Sequence, residues 1–286
     1  MPSRLADLLA GPDPLVLPGV WDALSARLAE AAGFRAVFLS GWAMSATRLG
    51  RPDFGLLTQT EVLETARAVC AAVRVPVVVD ADTGYGNAFN VERTVHELVR
   101  MGAAGCFLED QVWPKRCGHM RGKRVVPLDE YLPKLRAALA ARGDAPFHVT
   151  ARTDARAAVG LDDALVRARA FADAGADAVF VEAPESVDEM ARIRDAVPAG
   201  AACVANMVEG GRTPLRPARE LAAAGFAIVV APVAGLLAAA HALRGLYAAL
   251  ARDGATAAAP APLMGFDELN RLVGLDELYA REREWA

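Results

Sequence analysis

No Gly-x-Gly-x-x-Gly follows a strand-like run and no P-loop occurs, so nothing in the chain announces a nicotinamide or nucleotide enzyme. A basic face is missing too. The 286 residues carry 31 Lys and Arg against 35 Asp and Glu, a net charge of −4, and the pI is near 5.7. That leaves no footprint for nucleic acid and no polybasic patch for a membrane, and it points to a small-molecule enzyme. Cysteine is scarce. Cys70, Cys106, Cys117 and Cys203 stand without Cys-x-x-Cys spacing, as expected of a chain in a reducing cytoplasm. Met1-Pro2-Ser3-Arg4 leads into a short amphipathic segment rather than a signal peptide. Residues 221–243 lack Asp, Glu, Lys and Arg and are long enough to span a bilayer. Gly225, Pro232 and Gly235 interrupt the run and much of it is alanine, so it reads as a buried strand followed by a core-facing helix, not a membrane span.

What is present is alternation. With 54% hydrophobic residues the chain can bury one large core. Short β-rich apolar runs at 16–19, 36–40, 75–80, 105–109, 147–152, 178–182, 202–206 and 227–231 alternate with longer segments of helical period. Helices are announced by Thr58-Gln59-Thr60-Glu61 and Asp162-Asp163 and ended by Gly33, Gly102, Gly175 and Gly225, each just ahead of a strand. Eight such βα units predict a TIM-type (β/α)8 barrel, although periodicity alone also allows a doubly wound open sheet. Closure would gather Ser40, Asp80, Asp82, Glu109, Arg152, Glu182, Asn206 and Pro232 at the strands' carboxyl ends. The barrel occupies 1–250, an Ala/Pro-rich linker 251–264, and a C-terminal helix 265–286. Phe266, Leu269, Leu272, Val273, Leu275 and Leu278 give that helix an apolar stripe that wants a partner surface.

The stretch from Glu109 to Lys123 reads as a catalytic loop because it follows a buried strand. Cys117 stands between Arg116 and His119, with Lys115 beyond, and neighbouring cations lower a thiol pKa; a solvated basic loop would look similar. Asp80 and Asp82 lie two apart at a strand end and share a face. With Asp53 and Glu109 they suit an octahedral Mg2+ or Mn2+ better than Zn2+. Ser40-Gly41-Trp42 offers a hydroxyl and backbone N–H groups to an anionic oxygen, or is a simple turn. Arg152 is either a fork for a carboxylate or an ordinary ion-pair partner. His96, His148 and His241 read as structural.

The stretch EDQVWPKRCGHMRGK, together with LSGWAMSATRLGRPDFGLLT, VVVDADTGYGNAFNVERTV, ARTDARAAVGLDDAL, FVEAPES and ANMVEGGRTPL, resembles the isocitrate lyase and phosphoenolpyruvate mutase superfamily. The likeness is to its cysteine-containing branch, which holds petal death proteins and 2,3-dimethylmalate lyases and then 2-methylisocitrate lyases. The resemblance implies a Mg2+-dependent carbon–carbon lyase acting on a small carboxylate. It makes Asp80 the direct metal ligand, with Asp82, Asp53 and Glu109 holding the ion's waters and Lys115 ordering them. It makes Cys117 the proton donor, with Arg116, His119 and Glu182 tuning it. The Ser40–Trp42 loop, the amides near Gly118 and His119, and Arg152, Glu182 and Asn206 would grip substrate. The loop from Trp113 to Lys123 would be a lid, open and poorly ordered without ligand. Terminal helices would be exchanged in a homotetramer, a dimer of dimers. Hydrolases of oxaloacetate in the family carry serine where this chain has Pro232, and methylisocitrate lyases carry arginine where it has Leu237, so a 2,3-dialkylmalate-like 2-hydroxy acid is expected. Oxaloacetate hydrolysis or decarboxylation, carboxyphosphonoenolpyruvate phosphonomutase chemistry and a non-catalytic binding protein are the alternatives.

Overall fold

Runs of Val, Ile, Ala and Phe too short for helices form eight strands: β1 Leu15–Val20, β2 Val37–Leu39, β3 Val77–Asp80, β4 Gly105–Glu109, β5 His148–Thr153, β6 Ala178–Val181, β7 Ala202–Asn206 and β8 Ile228–Ala231. In this computed structural model, which describes residues 5–11 and 13–285, all eight pair in parallel and in sequence order as a closed barrel. Leu15 of β1 lies opposite Ile228 of β8 and completes the circuit. Closure rules out the open sheet. Met1-Pro2-Ser3-Arg4, on which the reading of a leaderless start rests, lies outside the described residues.

Buried side chains fall into two layers. Leu17, Phe38, Val78, Phe107, Phe180, Val204 and Val230 point into the barrel, and a larger set joins the sheet to the surrounding helices. Phe38, Phe107 and Phe180, from alternate strands, stack with centroids 4.8 Å and 5.7 Å apart, as interior layers of a barrel do. Arg152 lies over the Phe180 ring, its Cζ 5.1 Å from the centroid. The apolar plug therefore ends where the charged rim begins. Helix signals act where the sequence puts them: Thr58 and Glu61 form a reciprocal capping box, and Gly102 takes φ 84 after its helix.

Two expectations fail here. The helix Ala234–Asp253 that follows β8 is not core-facing, because only Ala249 in it is buried. It is long and apolar enough to cross a membrane by length and composition, and 6% of its most apolar window is buried. The C-terminal segment is not one helix. Gly274, at φ 90, breaks it into Phe266–Leu272 and Leu275–Trp285. Arg27 Nη1 donates to the Leu272 carbonyl at 3.1 Å, so the first piece touches its own barrel.

Candidate active site

The strand ends build the floor. Asp80 closes β3 and accepts backbone N–H groups from Gly41 at 3.2 Å and Asp82 at 3.2 Å. Its own carboxylate remains part of the wall of a cavity of about 260 Å³, which Ser40, Trp42, Asp53, Lys115, Cys117, Gly118, His119, Arg152, Glu182, Asn206, Pro232 and Leu237 also line. Asp82 takes φ 47, a left-handed conformation that turns its side chain back beside Asp80. Arg152 Nη2 lies 3.1 Å from Glu182 Oε2, and Asn206 Nδ2 donates to both Glu182 oxygens at 3.3 and 3.2 Å. Burial opposes the charge of Glu182, but Arg152 and His119 outweigh it and hold the carboxyl well below the usual range.

The loop is not open. It folds inward and is pinned at three points. Lys115 Nζ meets Asp53 at 2.7 Å and Asp82 at 2.6 Å, Cys117 N donates to the Asp53 carbonyl at 3.2 Å, and buried Lys123 pairs with Asp154 at 2.6 Å while also donating to the Gly118 carbonyl. Desolvation opposes the Lys115 ammonium, yet Asp82, Asp53, Asp80 and Glu109 keep it charged and raise its pKa. These buried ion pairs are what an open lid would have to break, which is why the expected open form is not seen.

The surroundings of Cys117 also differ from expectation. Burial pushes its thiol up to about 11, with Asp53 and Glu182 adding to the effect. The flanking cations do not activate it. Arg116 turns outward, its Cζ 4.9 Å over the Phe54 ring and its Nη1 donating to the Arg121 carbonyl at 2.8 Å, and Lys115 is committed to carboxylates. Arg116 therefore lies off the cavity. Gly41 spends its N–H on Asp80 and is not free for substrate, and the Ser40 hydroxyl accepts the Ala43 N–H as a helix cap. Arg152 is not an open fork: its Nε and Nη2 bond Asp154 at 2.9 and 3.2 Å, and Nε lies 3.3 Å from Glu109. It supplies charge more than bidentate geometry.

Six carboxylates, Asp53, Asp80, Asp82, Glu109, Asp154 and Glu182, surround three cations, Lys115, Lys123 and Arg152. Burial, with Asp80 and Asp53 adding to it, pushes Asp82 up to about 7 against the pull of Lys115. Glu109 Oε1 is buried without a hydrogen-bond partner. Among the described residues no three of His, Cys, Asp and Glu converge as a ligand cage. Excess negative charge, the Asp80 carboxylate in the cavity wall without a salt-bridge partner among the described residues, and the unpaired Glu109 oxygen fit a hard divalent cation held by Asp80 and waters, and do not fit Zn2+.

Lys123 and Asp154 were not singled out from the sequence. The chain has only three lysines, Lys115, Lys123 and Lys134, and arginine does the rest of its cationic work. That rarity was a usable signal, because two of the three are buried here.

A family model described as phosphoenolpyruvate phosphomutase matches residues 5–251. Carboxyvinyl-carboxyphosphonate phosphorylmutase, chloroplastic, of Arabidopsis thaliana is 47% identical over 276 residues, 95% of this chain and 81% of that protein. The 2,3-dimethylmalate lyase of Eubacterium barkeri is 44% identical over 284 residues, covering 99% and 98%. Among solved structures, oxaloacetate acetylhydrolase with the inhibitor 3,3-difluorooxalacetate superposes with a TM-score of 0.93 at 35% identity, covering 98% of this chain and 95% of that one. Phosphonopyruvate hydrolase with oxalate and Mg2+ superposes with a TM-score of 0.87 at 31% identity, covering 98% and 96%.

Proposed function

Because the chain belongs to the phosphoenolpyruvate phosphomutase family and is a carbon–carbon lyase, we propose that it cleaves a 2,3-dialkylmalate-like 2-hydroxy dicarboxylate between C2 and C3, with Mg2+ as cofactor and Mn2+ as a substitute. The products are a 2-oxo acid such as pyruvate and a monocarboxylate. The observation that carries the reading is that the half-buried Cys117 thiol, whose pKa desolvation raises, lines the same cavity as the Asp80 carboxylate.

The chemistry follows from charge. Breaking C2–C3 turns the C2 hydroxyl into a carbonyl and leaves an electron pair on C3, next to the second carboxylate. Bound at Asp80, with Asp82, Asp53 and Glu109 holding its waters, the cation would favour loss of the hydroxyl proton. Cys117 would then give its proton to C3, and the hydroxyl proton, passed to solvent, returns to the thiolate, so that the count closes over the cycle. A thiol raised to about 11 keeps that proton near neutrality and releases it only to a stronger base, which a carbanion is. Lys115 and Arg152 offset charge at the two carboxylates, while Glu182, His119 and Asn206 fix the far wall. Pro232 has no side-chain donor for a hydrated keto group, and Leu237 has no charge for a third carboxylate; both argue for an apolar substituent at that wall.

The proposal includes a cytoplasmic homotetramer. The helix Ala234–Asp253 begins with Leu237 in the cavity wall and leaves an apolar face uncovered, which a second copy of the chain would bury more readily than a bilayer. Turnover of 2,3-dimethylmalate, methylisocitrate and oxaloacetate by purified protein with Mg2+ tests the substrate. Dimethylmalate should be preferred, and an efficiency about tenfold higher for either rival would replace the reading.

A further inference from the structure

The two ring nitrogens of His119 keep different company. Nδ1 accepts the backbone N–H of Arg212 at 3.1 Å. Nε2 lies 3.3 Å from Glu182 Oε1 and is buried without an aligned hydrogen-bond partner. A ring nitrogen that accepts an N–H carries no proton, so the proton of the neutral ring belongs on Nε2, facing the Glu182 carboxylate.

The ring reaches this seat because residue 211 is glycine. A Cβ at Gly211 would stand 2.7 Å from Nδ1, 2.8 Å from Cε1 and 2.9 Å from the Val208 carbonyl oxygen. Gly211 N donates to that same oxygen at 2.9 Å, so the turn cannot open to make room without losing its own hydrogen bond. One residue before His119, Gly118 lies against Glu182, where a Cβ would come within 2.5 Å of the carboxyl carbon. The stretch carrying Cys117 is thus pressed between the Glu182 carboxylate and the 208–212 turn.

We infer that the turn after β7 is a positioning element for His119: the Arg212 amide selects the Nε2–H tautomer, and Gly211 gives the imidazole its seat. The turn lines the edge of the same cavity through Val208, Glu209, Gly210 and Gly211. It acts through His119 on the Cys117–Glu182 side of the cavity, and only the activity arm of its test rests on the proposed lyase reaction.

The test is 15N NMR of the full chain labelled at histidine nitrogens, at a pH where the ring is neutral. There are four histidines, and His119→Gln identifies the signals to follow. The wild-type spectrum should show Nδ1 unprotonated and Nε2 protonated; the opposite tautomer, or an averaged pair, would overturn the inference without reference to any substrate. Gly211→Ala should yield mixed tautomers and lower turnover about tenfold with KM changed less than about twofold. A Gly211→Ala protein that keeps both the tautomer and the turnover overturns it as well. If that variant does not fold, the wild-type spectrum decides alone.

Discussion

At the amino end of β5, His148 is buried, and burial pushes its imidazole down to about 4, so it stays neutral. At the carboxyl end of the same strand, Arg152 is nearly as enclosed, and burial opposes its charge, but Asp154, Glu109 and Glu182 outweigh that and keep it ionised. One end of the barrel keeps His148 neutral beside the partly exposed Arg142–Asp177 ion pair. The other concentrates charge, although buried ion networks return little stability for their desolvation. The contrast separates a face that holds the fold from a face that performs chemistry.

The largest effect expected from breaking the charged face is at Asp80. Asp80→Ala should lower Mg2+-activated turnover by roughly 10³-fold, because the other carboxylates in the cavity wall, Asp53 and Glu182, are already ion-paired to Lys115 and Arg152. Asp82→Ala should be milder. A Mg2+ titration of the Asp80 variant with an unchanged midpoint would contradict the assignment.

Next is the thiol itself. Burial pushes the Cys117 thiol up to about 11, which leaves far less thiolate at pH 8, and the greater nucleophilicity of a more basic thiolate offsets only part of that, so alkylation by iodoacetamide should be slower than that of an ordinary thiol by on the order of tenfold. Peptide mass spectrometry over a time course reads it directly. Reaction at the ordinary rate would restore the picture of a cation-activated cysteine.

The smallest effect on activity is expected at the opposite end. His148→Leu should leave turnover unchanged and flatten the acid limb of stability. The unfolded chain takes up the imidazole proton near 6.5 while the folded one resists until about 4. Stability from this site is therefore complete above 6.5 and falls by on the order of 3 kcal/mol as pH drops through that window. Urea melts at pH 7 and pH 4.5 give the slope; a turnover loss in this variant would blur the division between the two faces.

The frame was legible because the strands are short apolar runs, four of them preceded by the helix-ending glycines Gly33, Gly102, Gly175 and Gly225, and because several end at a polar residue, as β4 does at Glu109. Asp80 and Asp82 were legible as a pair at a strand end, but the strand stops at Asp80 and it is the left-handed turn at Asp82, not strand alternation, that brings them together. What escaped was the direction in which long side chains turn. Arg116 is next to Cys117 in sequence, yet it stacks on Phe54. Asp154, just past the end of β5, captures the Arg152 guanidinium and decides for the ion-pair partner between the two readings the sequence allowed. The helix Ala234–Asp253 has a buried composition but an exposed position, which no periodicity within one chain can distinguish.

The central claim is that Cys117 supplies the proton that quenches C3. Cys117→Ser keeps the volume and the loop contacts but replaces the thiol with a far weaker acid. Assayed with 2,3-dimethylmalate and Mg2+, it should lose on the order of 10²-fold or more in turnover while melting at the same temperature and binding Mg2+ with the same midpoint. Turnover close to that of the unaltered chain would remove Cys117 from the mechanism.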